Sequence, residues 1–339
     1  MIEFDNRRWE AELRQVSCLK QCRFPANSEI EIGGTLEQAK ITMKEKGLNG
    51  NMQSDAAAFE SWALALLLHC GVQTVQIGMD PRADRKGPHY ERFLYRLKCF
   101  SELYPDWVIA EEPDPPSKAL NSPNERLLNQ PNKRAKPPEV DSNERMKAAS
   151  GPTPSEADLE LALEISSSFR SHFQLEKVMR QWPVGLFDGW VADGRQIFTG
   201  GKSGIDLIGI RNGTLVLFEL KKSDNRKAGA ISELLFYASV MRDAIGPSAI
   251  FEFESKEARK NCAIGPEDII RCSNIHAVLL APNFHPLISE PRIFQELNKA
   301  AMKRFGSDRQ ICFQTATISS YPQDGYGDFK FSTRQIKSA

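Results

Sequence analysis

An Asn-Gly pair set between two apolar runs leaves a chain little choice of local structure, and Ser203 to Lys222 (SGIDLIGIRNGTLVLFELKK) carries one at Asn212-Gly213. Asn-Gly tolerates the positive φ angles of the tight turn whose twist matches the flanking strands. The stretch is therefore read as a two-residue β-hairpin. Its register follows by counting. Arg211 faces Thr214, so Asp206 faces Glu219, with Ile208–Leu217 and Ile210–Leu215 nearer the turn on the same side. Directly opposed side chains have Cβ atoms roughly 4.5 to 5.5 Å apart. Lys221, two residues beyond Glu219, belongs to that side too.

Two unscreened acids at that separation repel, and one is driven to keep its proton. A divalent cation removes the conflict. Carboxylate oxygens suit Mg²⁺ and Mn²⁺, and such an ion polarises a phosphoryl oxygen and acidifies bound water. The Lys221 ammonium adds a stabiliser for charge developing on phosphorus oxygens. The constellation points to metal-assisted phosphodiester hydrolysis. The alternative is a solvated strand end, with Glu219 and Lys221 as surface charges. Against it stands LVLFEL, which sets Glu219 among hydrophobes, where a Glu is seldom buried without a partner.

Asp206 and Glu219-Leu220-Lys221 resemble the motif of the PD-(D/E)XK nuclease superfamily, an Asp on one strand and Glu-x-Lys on the next. The run GIDLIGIRNGTLVLFELKK is especially similar to the branch holding mismatch and branched-DNA endonucleases and some phage-defence nucleases. Ile205 stands where the motif's name has Pro, and the similarity covers residues 155 to 320 at most. The resemblance implies a restriction-endonuclease-like mixed sheet flanked by helices, within an α/β chain. It also implies a DNA endonuclease or exonuclease, serving repair or phage defence, that uses Mg²⁺ or Mn²⁺ held by Asp206 and Glu219. In the superfamily a first helix often adds one more Glu to the metal site; Glu176 is the choice here, with Glu164 and Glu160 as alternates. Related nucleases place Gln-x-x-x-Tyr on a later helix beside the active site. Glu233 replaces that Gln, so the resemblance leaves a substrate-positioning role to Tyr237 rather than to Glu233. The rival reading is a nuclease-fold protein without catalysis that binds nucleic acid or acts as a scaffold.

The other positions fall around this centre. Lys222, Arg226 and Lys227 put cations beside Lys221 and are candidate phosphate-binding residues, or else an ordinary solvated turn. They are needed locally, because 44 basic residues against 44 acidic ones leave no global field to attract nucleic acid. The 7 cysteines are odd in number and scattered, as in a reduced cytoplasmic protein. Cys18 and Cys22 have no second pair at zinc spacing, so helical neighbours explain them better. No apolar run is long enough to cross a membrane, and the first residues do not read as a signal peptide.

A length of 339 residues suggests two domains. Residues 1–112 read as a small α/β domain of unknown role, open to a partner or a second copy. Helices are expected over Glu10–Gln21, Thr35–Lys46, Ala56–Cys70 and Tyr90–Leu103, and strands over Val72–Ile77 and Trp107–Ala110. The loop Asp80–His89 carries Arg82, Arg85 and Lys86, which suit phosphate or simply solvent. Residues 113–154 hold 9 of the 20 prolines and read as a disordered linker letting the halves move independently, with a basic patch at Lys133-Arg134-Ala135-Lys136.

The nuclease-like domain, 155–339, is expected to open on one helix, Ser155–Gln181, capped at Ser155 with Asp158 near the capping-box position. His172 on it is read as structural. Strands follow at Gly185–Val191 and Gln196–Gly200, where Gly200-Gly201 permits unusual backbone shapes. Beyond the hairpin come a helix Ala228–Arg242, a strand Ile275–Ala281, a helix Pro291–Phe305 and a strand Ile311–Ile318.

Overall fold

The computed structural model describes residues 2–111, 117–121, 125–132, 149, 154–199, 203–223, 227–246, 249–306, 310–321 and 328–333. Most of the proline-rich stretch, the patch 133–136, Gly200-Gly201 and Arg226 lie outside the described residues. Within them the chain is mixed α/β, with ten α-helices and three mixed sheets. Among the described residues no helix is long and apolar enough to cross a membrane.

The N-terminal half begins with α1 (Asn6–Leu13), capped by Asp5, whose carboxylate accepts from Arg8 N at 2.9 Å. It ends well short of the expected Gln21. The strands β1 (Ile30–Gly34) and β2 (Gln38–Met43) are antiparallel, and β3 (Thr74–Met79) and β4 (Val108–Ala110) extend the sheet in parallel. The helix expected over Thr35–Lys46 is thus a strand. Its period is two, with Ala39, Ile41 and Met43 buried between exposed Gln38 and Lys40, and paired neighbours on both sides override its helix-forming residues. A short helix, α2 (Glu45–Asn49), follows it. Two long helices, α3 (Phe59–His69) and α4 (Gly87–Leu103), make the crossovers between parallel strands.

The expected helix Ser155–Gln181 is three elements. Ser155 and Asp158 form the capping box of α5 (Glu156–Ile165). Ser166 then accepts from Phe169 N at 3.0 Å, starting α6 (Ser167–Phe173), and Gln174 in the left-handed region ends it. The rest, Lys177–Pro183, is the strand β6. A separate small sheet joins β5 (Arg126–Leu128), β7 (Leu186–Asp188) and β10 (Glu252–Phe253). Of the strand expected over 196–200 the described part is one bridge, Phe187–Gln196.

The hairpin forms β8 (Gly204–Arg211) and β9 (Thr214–Leu220), with the counted register running from Arg211–Thr214 to Leu207–Phe218. Asn212 and Gly213 both have positive φ, as that turn requires. From β9 the chain crosses through α7 (Gly229–Ala244) and later α8 (Pro266–Ile270) to β11 (Asn274–Ala281), which lies parallel to β9. After α9 (Pro286–Ser289) and α10 (Pro291–Phe305) come β12 (Ile311–Ser320), parallel to β11, and β13 (Lys330–Thr333), antiparallel to β12. The six strands run β13-β12-β11-β9-β8-β6.

One face of this sheet buries Leu207, Val216, Phe218 and Leu220 against Leu159, Leu163, Phe169 and Phe173 of α5 and α6. The other buries Ile208, Ile210, Leu215 and Leu217 beneath α7 and α10. These two helices contact α3 and α4, which cover the N-terminal sheet. Residues from Phe4 to Phe313 therefore form one continuous apolar core. The halves are joined through this core as well as by the connecting segment. Side chains as large as Trp62, Tyr95 and Phe236 are buried in it, each contributing about 1.5–3 kcal/mol.

Candidate active site

Backbone pairing loosens where the hairpin's acids sit. The β8–β9 ladder stops at Leu207–Phe218, one step before Asp206 and Glu219. On the other side the β6–β8 ladder skips the position of Gln181, whose φ is 55°. A left-handed residue other than Gly costs roughly 1–2 kcal/mol and needs surroundings that enforce it. Freed of its ladder partners, Asp206 reaches across the strand end, and its Oδ2 accepts from Leu220 N at 2.7 Å.

Glu219 and Lys221 are only 1 % and 3 % exposed, so they are not surface charges. Lys221 donates to Glu219 Oε1 and lies 2.9 Å from Oε2 of Glu233, which α7 projects from above the sheet. The remaining oxygen of Glu219, Oε2, is buried and, among the described residues, meets no hydrogen-bond donor apart from the Glu233 carboxyl. Two carboxyls, from Glu219 and Glu233, thus share one ammonium, and Asp206 acts on it at longer range. Burial, the neighbouring acids and the lack of compensating charge push the group's titration upward. Asp206 is raised to about 8, chiefly by burial, with Lys221 and the Leu220 amide opposing. Glu219 is raised well above the carboxylate range by burial, Asp206 and Glu233. Burial works against the charge of Lys221, but Glu219, Glu233 and Asp206 outweigh it and keep the ammonium protonated.

Two more residues join from helices. Tyr237, one turn beyond Glu233, is buried, and its hydroxyl is held protonated by burial and by Glu233, Glu219 and Asp206. Glu160 of α5, 5 % exposed, accepts from Gln181 Nε2 at 2.6 Å and adds to the field that raises Asp206. Glu176 is elsewhere. It precedes β6 on no helix, and its carboxylate accepts from Asn212 N at 2.8 Å, at the turn end of the hairpin. The helix acid beside Asp206 is therefore Glu160, displaced from the preferred sequence position because the long expected helix breaks at Ser166. Glu164 pairs with Arg180 at 3.3 Å. Lys222 and Lys227 are exposed next to the strand end, the Lys222 amide meeting Glu156 at 3.4 Å.

Glu233 and Arg92 are the participants that motif reading missed. Glu233 departs from the Gln pattern, yet its four-residue spacing from Tyr237 puts both on one helix face. Arg92 of α4 gives no local signal at all. It is 4 % exposed and lies close enough to Glu233 and Tyr237 for them to act on its titration, although burial lowers it to about 10.

Among the described residues no three His, Cys, Asp or Glu side chains converge so as to hold a metal by themselves. Mg²⁺ does not need them, since it commonly takes one or two carboxylates and completes its octahedron with water and substrate oxygens. Oε2 of Glu219, with the Asp206 carboxyl near enough to raise its titration, is the oxygen that would meet such an ion. No family model, no curated protein and no solved structure matches the chain.

Proposed function

We propose that the chain is a metal-dependent nuclease hydrolysing DNA phosphodiester bonds. The observation that carries this reading is Glu219, buried, with one oxygen on Lys221 and the other meeting no donor apart from the Glu233 carboxyl, and with Asp206 near enough to raise its titration. Asp206 and Glu219 would hold Mg²⁺ or Mn²⁺, which when bound polarises a phosphoryl oxygen and lowers the pKa of water. Lys221, permanently cationic, stabilises charge that builds on the phosphoryl oxygens during displacement. Glu233 fixes the Lys221 head group, and Tyr237 presents a hydroxyl that remains a donor at any working pH. The order helix, β6, β8, β9, α7, β11, with the acids where β8 and β9 end their pairing, supports a restriction-endonuclease-like arrangement. DNA is preferred to RNA by the family resemblance alone.

Incubating plasmid, linear and single-stranded DNA, and RNA, with Mg²⁺, Mn²⁺ or a chelator tests the reading. Cation-dependent cleavage is expected, falling about 10²-fold or more in Asp206→Asn and Lys221→Ala. Cleavage that survives either substitution overturns the assignment. One observation favours a second reading: Lys221 is already neutralised between two carboxylates, as in a purely structural ion cluster. That reading, a nuclease-fold protein that binds nucleic acid without cutting it, expects binding and no product from any substrate.

A further inference from the structure

Arg92 is a buried charge with no ion-pair partner among the described residues; Glu233 acts on it only at longer range. Its Nη2 donates to Gly50 O at 3.1 Å and lies 2.9 Å from His89 Nδ1, and its Nη1 donates to Thr199 Oγ1 at 3.0 Å and Ser203 Oγ at 3.5 Å. Each of these partners is neutral, His89 because burial and the guanidinium itself hold its pKa down. No ion pair to Arg92 exists among the described residues. Buried charges are ordinarily paired, because desolvating them alone is costly.

The two hydroxyls sharpen the point. Thr199 Oγ1 and Ser203 Oγ lie 2.7 Å apart, so one donates to the other. Both also accept from Arg92. Two hydroxyl protons are available, the bond between them uses one, and the second has no acceptor among the described residues. Both residues are half-buried. A guanidinium backing a polarised O–H is a donor set for a phosphate oxygen. Ser203 immediately precedes β8, three residues before Asp206, and the Arg92 charge acts on Tyr237 in the candidate site.

We propose that Arg92, Thr199 and Ser203 form an anion subsite that takes a backbone phosphate of the DNA next to the one held at Asp206, so that the N-terminal half supplies part of the substrate-binding surface. The identity of the anion rests on the nuclease reading; the donor geometry does not. The subsite adds a cation to a cluster whose own buried ammonium, Lys221, is already engaged by Glu219 and Glu233.

Fluorescence anisotropy of a labelled DNA duplex, titrated in chelator and again in Ca²⁺ against the full chain, tests it. Arg92→Gln is expected to weaken binding about tenfold or more and to reduce the slope of log affinity against log salt by about one. Ser203→Ala, which keeps the guanidinium and the backbone, is expected to weaken binding a few-fold and decides the matter if Arg92→Gln does not fold. Unchanged affinity in Ser203→Ala and in folded Arg92→Gln, or no DNA binding by the wild-type chain, overturns the subsite. Weakened binding without wild-type cleavage keeps the subsite and removes the hydrolase. Asp206-dependent cleavage with an unaltered KM in Arg92→Gln does the reverse.

Discussion

Lys221 Nζ lies 2.9 Å from the carboxylate of Glu233, so helix α7 closes over the hairpin's own Glu219–Lys221 pair with a second acid. The ammonium is thereby fixed from two elements that follow one another in the chain, and its position depends on how α7 docks as much as on the sheet.

Removing the cation should cost far more than removing the added acid. Lys221→Met leaves Glu219 and Glu233 buried without compensation, and a loss of about 3–5 kcal/mol is expected in urea unfolding. Glu233→Gln keeps the shape and relieves repulsion, so its cost is expected to stay below about 1.5 kcal/mol. Equal stability of the two variants would show that Lys221 is not the charge that holds this cluster.

Stability should fall as pH rises across the neutral range. The Asp206 carboxyl titrates near 8 in the folded chain and near its ordinary acidic value when unfolded. Between those limits the native state binds the extra proton, so unfolding free energy decreases with pH, by up to about 1.4 kcal/mol per unit for each such group. Above about 8 this contribution flattens. Asp206→Asn should make the slope shallower, whereas Mg²⁺, competing with the proton, should restore stability at high pH. Urea midpoints from pH 5 to 9, with and without Mg²⁺, read out both effects.

Two glutamates should behave in opposite ways. Glu160→Gln is expected to lower cleavage while leaving the hairpin intact. Glu176→Gln should leave cleavage unchanged and cost about 1 kcal/mol, since it weakens the acceptor for the Asn212 amide. Parallel rates and urea curves for the two variants would reveal a reversed assignment.

The two halves should unfold together. Asp55 accepts from Ala228 N at 2.8 Å, Ser232 donates to Glu60 at 2.7 Å, and Glu60 is paired with Arg96 in the same buried interface. A Cβ on Gly229 would stand 2.2 Å from the carbonyl oxygen of Gln53. Gly229→Ala is therefore expected to destabilise the whole chain by about 1–3 kcal/mol as overpacking. A single calorimetric transition, shifted as one by this variant, is the expected result; two independently moving transitions would contradict it.

How much of this was legible in the sequence depends on the range of the interactions. The hairpin register from Arg211–Thr214 to Leu207–Phe218 needed only a two-residue turn and counting, whereas the last counted pair, Asp206–Glu219, lies past the end of the ladder. The spans of α7, β11 and α10 followed from periodicity because each carries an unbroken apolar pattern. The segment Thr35–Lys46 misled because its residues form helices readily, and only pairing with β1 and β3, distant partners, makes it a strand. Glu176 belongs to a span of helical pattern that Ser166 and Gln174 interrupt, a break written in cap chemistry rather than hydrophobicity. Arg92 was out of reach, since nothing near it in sequence indicates that α4 would lie beside a strand more than a hundred residues away.

The continuous core has a consequence for how this protein can be dissected. Cutting after residue 112 would not trim an appendage; it would strip the roof from α7 and leave Tyr95's neighbours Phe198 and Phe236 facing water. Loss of function in such a fragment would report a collapsed wall, and a single-residue change at the seam is the cleaner instrument.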